Sequence, residues 1–182
     1  MYYRLGANLN LYSGYMHKED NYDETLMSGE KVNEEELTLP WPFSLASDES
    51  DQLELSDYYP GAELMSARLV ETLRAAGVDN LQTFPAVVSD TRRDRRIDNY
   101  LVVNVIGLVA VANMSTSISR PLADVQFFES LTIDPAKALD LLMFRLAESR
   151  GDVIVSERVA KRIQEGRFID VTLEPLAEAT DT

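Results

Sequence analysis

One pattern of residues occurs twice in this chain, 90 positions apart. It begins at Ser66 as SARLVETLRAAGVDNLQTFP and again at Ser156 as SERVAKRIQEGRFIDVTLEP. Each copy has a serine suited to cap a helix, a short amphipathic segment, a glycine near the end of that segment, an extended apolar run and a closing proline. The pattern predicts two pseudo-repeated helix–strand units, at 64–88 and 154–175. Because no reactive side chain recurs in the two copies, the repeat favours a binding scaffold over an enzyme.

The first copy carries the clearest local signals. Ser66 is the expected N-cap of a helix of about three turns, and Gly77 is expected to end that helix in the left-handed conformation. Residues 81–88 follow as a strand, in which Pro85 indicates an edge or a bulge. The second copy predicts a helix from Ser156 and a strand at 168–173.

The remaining elements follow from hydrophobic periodicity and turn residues. Asp134 and Pro135 are typical of a helix start, and apolar residues at offsets of 0, 3, 4 and 7 predict a helix that runs to about Ala147. The tail from Leu176 is expected to fray. Further strands are predicted at 1–12, 100–106, 108–112 and 125–133. Together these elements predict an α+β fold, with a mixed or mostly antiparallel sheet and a few packed helices.

Charge is concentrated in one part of the chain. Residues 17–57 carry thirteen acidic side chains and two basic ones, a net charge of −11, whereas the rest of the 182 residues contributes −3 to the total of −14. We interpret residues 13–57, which are polar and lack a clear periodicity, as an acidic insert in a single domain of residues 1–182. Such an insert attracts a basic partner and repels nucleic-acid phosphates and acidic membranes. A solvated loop kept soluble by its charge is the alternative interpretation.

The run LTLPWPFSL at 37–45 interrupts the acidic insert. Pro40 and Pro42 argue against a helix and against a central strand. We expect Trp41 and Phe43 to dock on the core, although Trp41 could instead be an exposed contact for a partner.

Signals for catalysis are weak. The chain has no cysteine and one histidine, His17, and it lacks nucleophile-elbow, Walker and dinucleotide-binding motifs. We therefore expect no catalytic residues, no cofactor and no metal site; a small hydrolase with scattered carboxylates is a minor alternative. The arginine-rich loop TRRDRR at 91–96 is expected to pair with the chain's own acidic segment or with acidic groups of a partner. No signal peptide or membrane-spanning segment is recognised, which favours the cytoplasm.

Four stretches of the chain resemble a known bacterial family. They are YYRL at 2–5, LMSARLVETLRAAGVDNLQTFPAVV at 64–88, YLVVNVIGLVAVAN at 100–113 and the FRLAE…VIVSERVAKRI pattern at 144–163. The family is polymorphic-toxin immunity protein family 11, and the acidic segment at 17–57 departs from it. The resemblance implies a protein that binds and blocks an antibacterial toxin made beside it, often one with a histidine-dependent nuclease domain. It carries over no catalytic residues.

These inferences combine into one hypothesis about the partner. A nuclease holds a polyanion in a basic cleft, and the acidic segment can present carboxylates where phosphates would lie. We expect the cognate toxin to contact Glu34, Glu35, Glu36, Asp48, Glu49 and Asp51, with Trp41, Tyr58 and Tyr59 as hydrophobic anchors. The main alternative is an adaptor of a secretion system that has no inhibitory activity, and self-association is a further one.

Overall fold

The computed structural model of the chain describes residues 1–8, 15–18, 24–46 and 54–179. In these ranges there are two α-helices, α1 (Ala67–Ala75) and α2 (Glu157–Gly166). Neither is long and apolar enough to cross a membrane. The strands of the same ranges are β1 (Tyr2–Ala7), β2 (Tyr15–Lys18), β3 (Trp41–Ala46), β4 (Tyr58–Tyr59), β5 (Leu64–Ser66), β6 (Leu81–Asp90), β7 (Arg95–Val105), β8 (Leu108–Val109), β9 (Ile118–Leu122), β10 (Val125–Ser130), β11 (Thr132–Ile133), β12 (Met143–Leu146), β13 (Ser149–Ser156), β14 (Val171–Pro175) and β15 (Ala177–Glu178). Short 3-10 helices lie at Glu24–Met27, Glu34–Glu36, Pro60–Ala62 and Pro135–Ala138.

The strands form two larger sheets and two small ones. The five-stranded sheet has the order β14-β1-β13-β12-β8, and the six-stranded sheet has the order β2-β3-β6-β7-β5-β4. Most neighbours are antiparallel, but β3 runs parallel to β6 and β12 runs parallel to β8. Strands β9 and β10 form a separate hairpin, and β11 pairs with β15. The mixed sheets and two helices confirm the predicted α+β class.

The continuous apolar runs of the sequence become strands that are buried on both faces. Successive side chains of a strand point to opposite faces of its sheet. In β7, Val103 accordingly joins the core cluster that includes α1 and α2, whereas Val102 joins a cluster on the other face. In β12, Met143 and Phe144 divide in the same way. Each larger sheet therefore packs one face against the helices and the other face against a different part of the chain.

Two long connections cover these outer faces. The acidic segment at 17–57 is called the acid-rich segment below. Its Leu26 packs on the outer face of the six-stranded sheet, in one cluster with Phe43 of β3 and Phe84 of β6. Residues from the connection between β8 and β12 pack on the five-stranded sheet, and they include Val111, Phe128, Leu131, Ile133 and Ala138. The acid-rich segment is thus part of the packed core, because the six-stranded sheet would otherwise expose its apolar outer face to water.

The prediction of a helix from Asp134 to about Ala147 is wrong beyond the first turn of that helix. Asp134 does cap the 3-10 helix Pro135–Ala138, with its Oδ1 accepting a hydrogen bond from the Ala136 backbone N–H at 3.2 Å. Leu139 and Asp140 then adopt the left-handed conformation, which ends the helical turn. Residues 143–146 pair with β13 instead. Local periodicity was overridden because a four-residue strand in which every residue is buried gains more from sheet pairing than from a solvent-exposed helix.

The expectation that Pro42 excludes an interior strand is also wrong. Strand β3 lies between β2 and β6. The pairing with β2 covers residues 43–46, so Pro42 lies just outside that ladder and pairs only towards Val87 of β6. A proline without an N–H is tolerated at such a strand start. At Pro85 the prediction is confirmed, since the register between β6 and β7 shifts between Ala86 and Val88.

The two serines of the repeated pattern both precede helices, but they act differently. The Ser66 Oγ accepts a hydrogen bond from the Leu69 backbone N–H at 3.3 Å, which confirms the predicted cap. Ser156 makes no such bond, and its buried Oγ has no hydrogen-bond partner. The first helix reaches Gly77 with the expected left-handed φ of 100°, whereas in the second helix Arg167 takes the left-handed position.

The C-terminal tail was predicted to fray, and up to residue 179 this is wrong. Leu176 is buried, and β15 pairs in parallel with β11. The Ala179 N–H also donates to the Ile133 carbonyl at 2.8 Å. The apolar side chain of Leu176 thereby closes the outer cluster of the five-stranded sheet.

Candidate partner-binding site

The described part of the acid-rich segment is held by apolar side chains on one side and carries carboxylates on the other. Leu26 is fully buried, and Val32 and Leu37 pack against the outer cluster of the six-stranded sheet. Glu30, Glu34 and Glu35 lie between these anchors and are exposed. The carboxylates are therefore presented by a fixed backbone, which lowers the entropy lost when a partner binds.

Two amide side chains tie this segment to the sheet. The side chain of Gln82 pairs with the backbone of Val32, accepting from its N–H at 2.9 Å and donating to its carbonyl at 2.8 Å. The Asn104 Nδ2 donates to the Glu30 carbonyl at 2.7 Å. An amide inside the apolar run YLVVNVIG was visible in the sequence, but its role depends on a partner 74 residues away.

The 3-10 helix Glu34–Glu36 is the most acidic structured element of the segment. The Asn33 Oδ1 caps it by accepting from the Glu35 backbone N–H at 3.3 Å. The Gln82 Nε2 also donates to the Glu34 carboxylate at 3.3 Å, which orients that side chain beside β6. The side chain of Glu36 lies outside the described part of the molecule. Glu34 and Glu35 are thus the predicted contacts that the structure places together on the surface.

An open cleft lies beside this helix. It has a volume of about 600 Å³ and is lined by Lys31, Glu34, Asp79, Asn80, Leu81, Gln82, Thr83 and Ile106. Two carboxylates and one ammonium group line it, so its charge is negative. Its shape and charge suit a basic side chain or loop of a partner protein.

Three of the predicted contacts, Asp48, Glu49 and Asp51, lie outside the described residues. Trp41 is half-buried, and its ring centroid lies 5.3 Å from that of Phe84. The expectation that Trp41 and Phe43 dock on the core is confirmed. Because Trp41 is only half-buried, a partner could still contact its exposed part, over a smaller area than a fully exposed indole would offer.

Tyr58 and Tyr59 cannot act as surface anchors on this fold. Their side chains are almost completely buried, at 1% and 2% exposure. Burial raises the pKa of both hydroxyl groups, so both stay protonated. The Tyr59 hydroxyl oxygen accepts the Ser56 backbone N–H at 3.0 Å. The prediction failed because two adjacent tyrosines in a two-residue strand pack on opposite faces of one sheet, in two different core clusters.

The arginine-rich loop pairs locally. Arg93 and Arg95 each donate to the Asp90 carboxylate at 3.0 Å, across the turn between β6 and β7. Asp90 lies outside the acidic segment at 17–57, so this pairing within the hairpin is one that the sequence did not predict. The expected pairing of the loop with the acidic segment or with a partner stays a prediction. The pairing follows from the hairpin, which brings residues five positions apart to the same end of the sheet.

Sequence reasoning also missed a structural carboxylate. Asp57 was counted with the acidic insert, yet it is buried and accepts hydrogen bonds from the Ser66 hydroxyl at 2.5 Å, from the Arg68 Nε at 2.8 Å and from the Ile169 N–H at 2.8 Å. The Arg68 guanidinium also lies 4.4 Å from the centroid of the Phe168 ring. These bonds join the start of α1 to the chain that follows α2. Asp57 therefore stabilises the fold and is not available to a partner.

A second open cleft, of about 580 Å³, lies beside Asp57 and Arg68. The two cations that line it, Arg68 and Arg95, are already paired with Asp57 and Asp90. We assign no ligand to this cleft, because both of its cations are paired within the chain.

In residues 1–8, 15–18, 24–46 and 54–179, no group of three histidine, aspartate or glutamate residues is placed to hold a metal ion. His17 belongs to β2, and its side chain is not among those that the structure describes.

The chain matches no protein-family model and no curated protein sequence. The resemblance to the immunity family stays a prediction.

Proposed function

We propose that this chain is an immunity protein, which binds and neutralises a cognate antibacterial toxin of the basic, nuclease type. The proposal rests on the motifs that resemble the immunity family and on the net charge of −14. It assigns no catalytic residue, cofactor or metal to the chain, and it places the chain in the cytoplasm, where such a toxin would act on its producer.

One structural observation supports the proposal beyond the motifs and the net charge. Glu34 and Glu35 are exposed on a capped 3-10 helix that is fixed to the six-stranded sheet and borders an open, negatively charged cleft. Preformed carboxylates of this kind attract a basic surface at long range and raise the rate of association. A free acidic loop would have the same charge but would lose more conformational freedom on binding.

The mechanism that fits this geometry is electrostatic mimicry. A nuclease binds phosphates with lysine and arginine side chains. The same cations can instead bind carboxylates on the surface of this chain, which take the place of the phosphates. A stable complex of this type buries about 1,600 Å² in total. The cleft and the 3-10 helix are smaller than that, so the toxin must also contact other parts of the chain.

The finer features of the fold belong to the same proposal. We infer that the segments 64–88 and 154–175 are related helix–strand units of one domain. In support, each runs from a strand through a serine into a helix and on to a second strand, and α1 and α2 pack in one core cluster. The acid-rich segment would then be the variable part that determines which toxin is bound.

The main competing function is an adaptor in a secretion pathway. Co-expression with the product of the adjacent gene separates the two: an immunity protein restores growth, whereas an adaptor alters secretion without restoring growth. If the wild-type protein failed to restore the growth of cells that express the toxin, the immunity proposal would be overturned.

Charge reversal then tests the surface itself. In Glu34→Lys/Glu35→Lys, we expect the association rate at low salt to fall by at least about tenfold and the salt dependence of Kd to weaken. The matched control is Glu157→Lys/Glu165→Lys, which makes the same charge change on the exposed face of α2. Equal effects of the two variants would show that net charge alone matters, and would reject the cleft as the binding site.

A further inference from the structure

The hairpin β9–β10 presents an exposed apolar face. Ile118, Leu122 and Phe127 are 60%, 52% and 44% exposed, although each is a large apolar side chain. In the register of the hairpin, Leu122 is opposite Val125 and Arg120 is opposite Phe127, so these side chains share one face. We call the side chains of Ile118, Arg120, Leu122 and Phe127 the hairpin face.

The opposite side of the hairpin explains how it is held. Phe128 is buried in the outer cluster of the five-stranded sheet, and the Gln126 N–H donates to the Glu148 carbonyl at 2.7 Å. The hairpin belongs to neither larger sheet. A two-stranded hairpin is only marginally stable in water, so it needs the contacts that one of its sides makes with the rest of the protein. The other side is apolar, and no described residue covers it.

The composition of the hairpin face is that of an interface core. The Arg120 guanidinium lies 4.8 Å from the centroid of the Phe127 ring, with Leu122 and Ile118 two residues away on either side of Arg120. Aromatic and arginine side chains are enriched at the centres of protein interfaces and supply most hot spots. The stacked pair is also preordered, which lowers the entropic cost of docking.

The charge around the hairpin face selects its occupant. Asp124 in the turn and Glu129 on β10 are exposed, and Arg120 is the only basic residue between positions 118 and 130. A second copy of the chain would bring another charge of −14 to this acidic rim. A basic protein meets the rim with complementary charge and can cover the apolar centre.

From these observations we propose that the hairpin face is the apolar anchor that holds a basic partner protein, the toxin of the proposed function. This inference rests on the proposed function. It replaces the anchors expected at Tyr58 and Tyr59, which are buried. The carboxylates of the cleft then govern the rate of association, and the hairpin face governs the rate of dissociation.

The test measures binding of the purified catalytic domain encoded by the adjacent gene, at 50 and 300 mM NaCl. In Leu122→Thr/Phe127→Thr, threonine keeps the strand propensity but removes most of the apolar surface. We expect Kd to rise by at least about 30-fold at both salt concentrations, through faster dissociation. The control Leu139→Asn removes a leucine outside the hairpin that is more exposed still, at 75%, and should bind as the wild type does.

Each of the following outcomes either supports or overturns the inference. Wild-type binding together with unchanged binding by the double variant would overturn the inference and leave the proposed function standing. Absence of binding and of rescue by the wild type would overturn both. A homodimer that dissociates when the hairpin is substituted would show that the occupant is a second copy, and would also overturn the inference. A photo-crosslinking phenylalanine analogue at Phe127 keeps an aromatic ring in place even if the double variant misfolds; cross-links to the partner support the anchor, and their absence while the partner is bound rejects it.

Discussion

Glu63 and Arg145 form a buried ion pair that joins the two larger sheets. Glu63 directly precedes β5 of the six-stranded sheet, and Arg145 lies in β12 of the five-stranded sheet. The Arg145 Nη2 donates to the Glu63 carboxylate, and the Arg145 Nη1 donates to the Arg150 carbonyl at 3.0 Å. Both side chains are almost inaccessible to water. The pair therefore orders the contact between the sheets, at the cost of desolvating two charges.

Removing one partner of this pair should destabilise the protein strongly. In Arg145→Met the Glu63 carboxylate stays buried without its cation, and we expect a loss of about 3–5 kcal/mol in the free energy of unfolding. Urea denaturation followed by circular dichroism measures this loss.

Two further variants control for this interpretation. Glu63→Gln/Arg145→Met removes both charges and should recover much of the loss, since no charge is left uncompensated. Arg162→Ala/Glu165→Ala breaks an exposed pair on α2 and should change stability by less than about 1 kcal/mol. If Arg145→Met lowered the free energy of unfolding by no more than Arg162→Ala/Glu165→Ala does, the buried pair would not stabilise the contact between the two sheets.

The two serines of the repeated pattern should respond oppositely to the same substitution. Ser66→Ala removes the cap on Leu69 and one donor to the buried Asp57, with an expected cost of about 1–2 kcal/mol. Ser156→Ala removes a buried hydroxyl that has no hydrogen-bond partner and should be neutral or stabilising. Thermal melts of the two variants provide the comparison, and equal losses would mean that Ser156 also caps its helix in solution.

The end of α2 offers a stabilising substitution. Arg167 occupies the left-handed position after the helix, with φ of 48°, where glycine is unstrained. Arg167→Gly should therefore raise the free energy of unfolding by about 1 kcal/mol. Arg162→Gly, inside the same helix, should lower it by about 1 kcal/mol. A loss of stability in both variants would show that the Arg167 side chain makes contacts that outweigh its backbone strain.

Local signals predicted the elements whose stability is local. The cap at Ser66, the left-handed Gly77 and the bulge beside Pro85 each depend on residues within a few positions, and each is confirmed. The apolar run at 100–106 also predicted a strand correctly, and continuous hydrophobicity is typical of strands covered on both faces. The run at 108–112 forms a strand only at Leu108–Val109.

Features that depend on distant pairing could not be predicted in this way. Residues 143–146 have helical periodicity but become a strand because β13 is available as a partner. The acid-rich segment and the residue that follows it contain both environments: Asp57 and Tyr58 are buried, whereas Glu34 is exposed. Composition alone does not distinguish these environments, since burial is determined by which sheet face each residue meets.

Asp90 should make stability depend on pH in one direction. Burial raises the pKa of its carboxyl, but hydrogen bonds from Arg95 and Arg93 outweigh burial and hold the pKa below its ordinary value. The ionised form is thus favoured in the folded state, so the stabilisation is complete above the unfolded pKa of about 4 and is lost as the pH falls through the folded pKa. Asp90→Asn should therefore be less stable than the wild type at pH 7, and the difference should shrink below about pH 4. Urea denaturation at a series of pH values measures this difference.

Asp170 should behave in the opposite way and serves as the matched control. Burial, together with the charge of Glu54, raises the pKa of its carboxyl, so the ionised form is disfavoured in the folded state. The resulting penalty appears as the pH rises through the window between the unfolded pKa and the raised folded pKa, and it is absent below that window. Asp170→Asn should accordingly be at least as stable as the wild type at pH 7, because asparagine also tolerates the left-handed backbone at this position. Its advantage should disappear on acidification. If the two asparagine variants shifted stability in the same direction at pH 7, the arginine pairs at Asp90 or the burial of Asp170 would not determine how these carboxyls titrate.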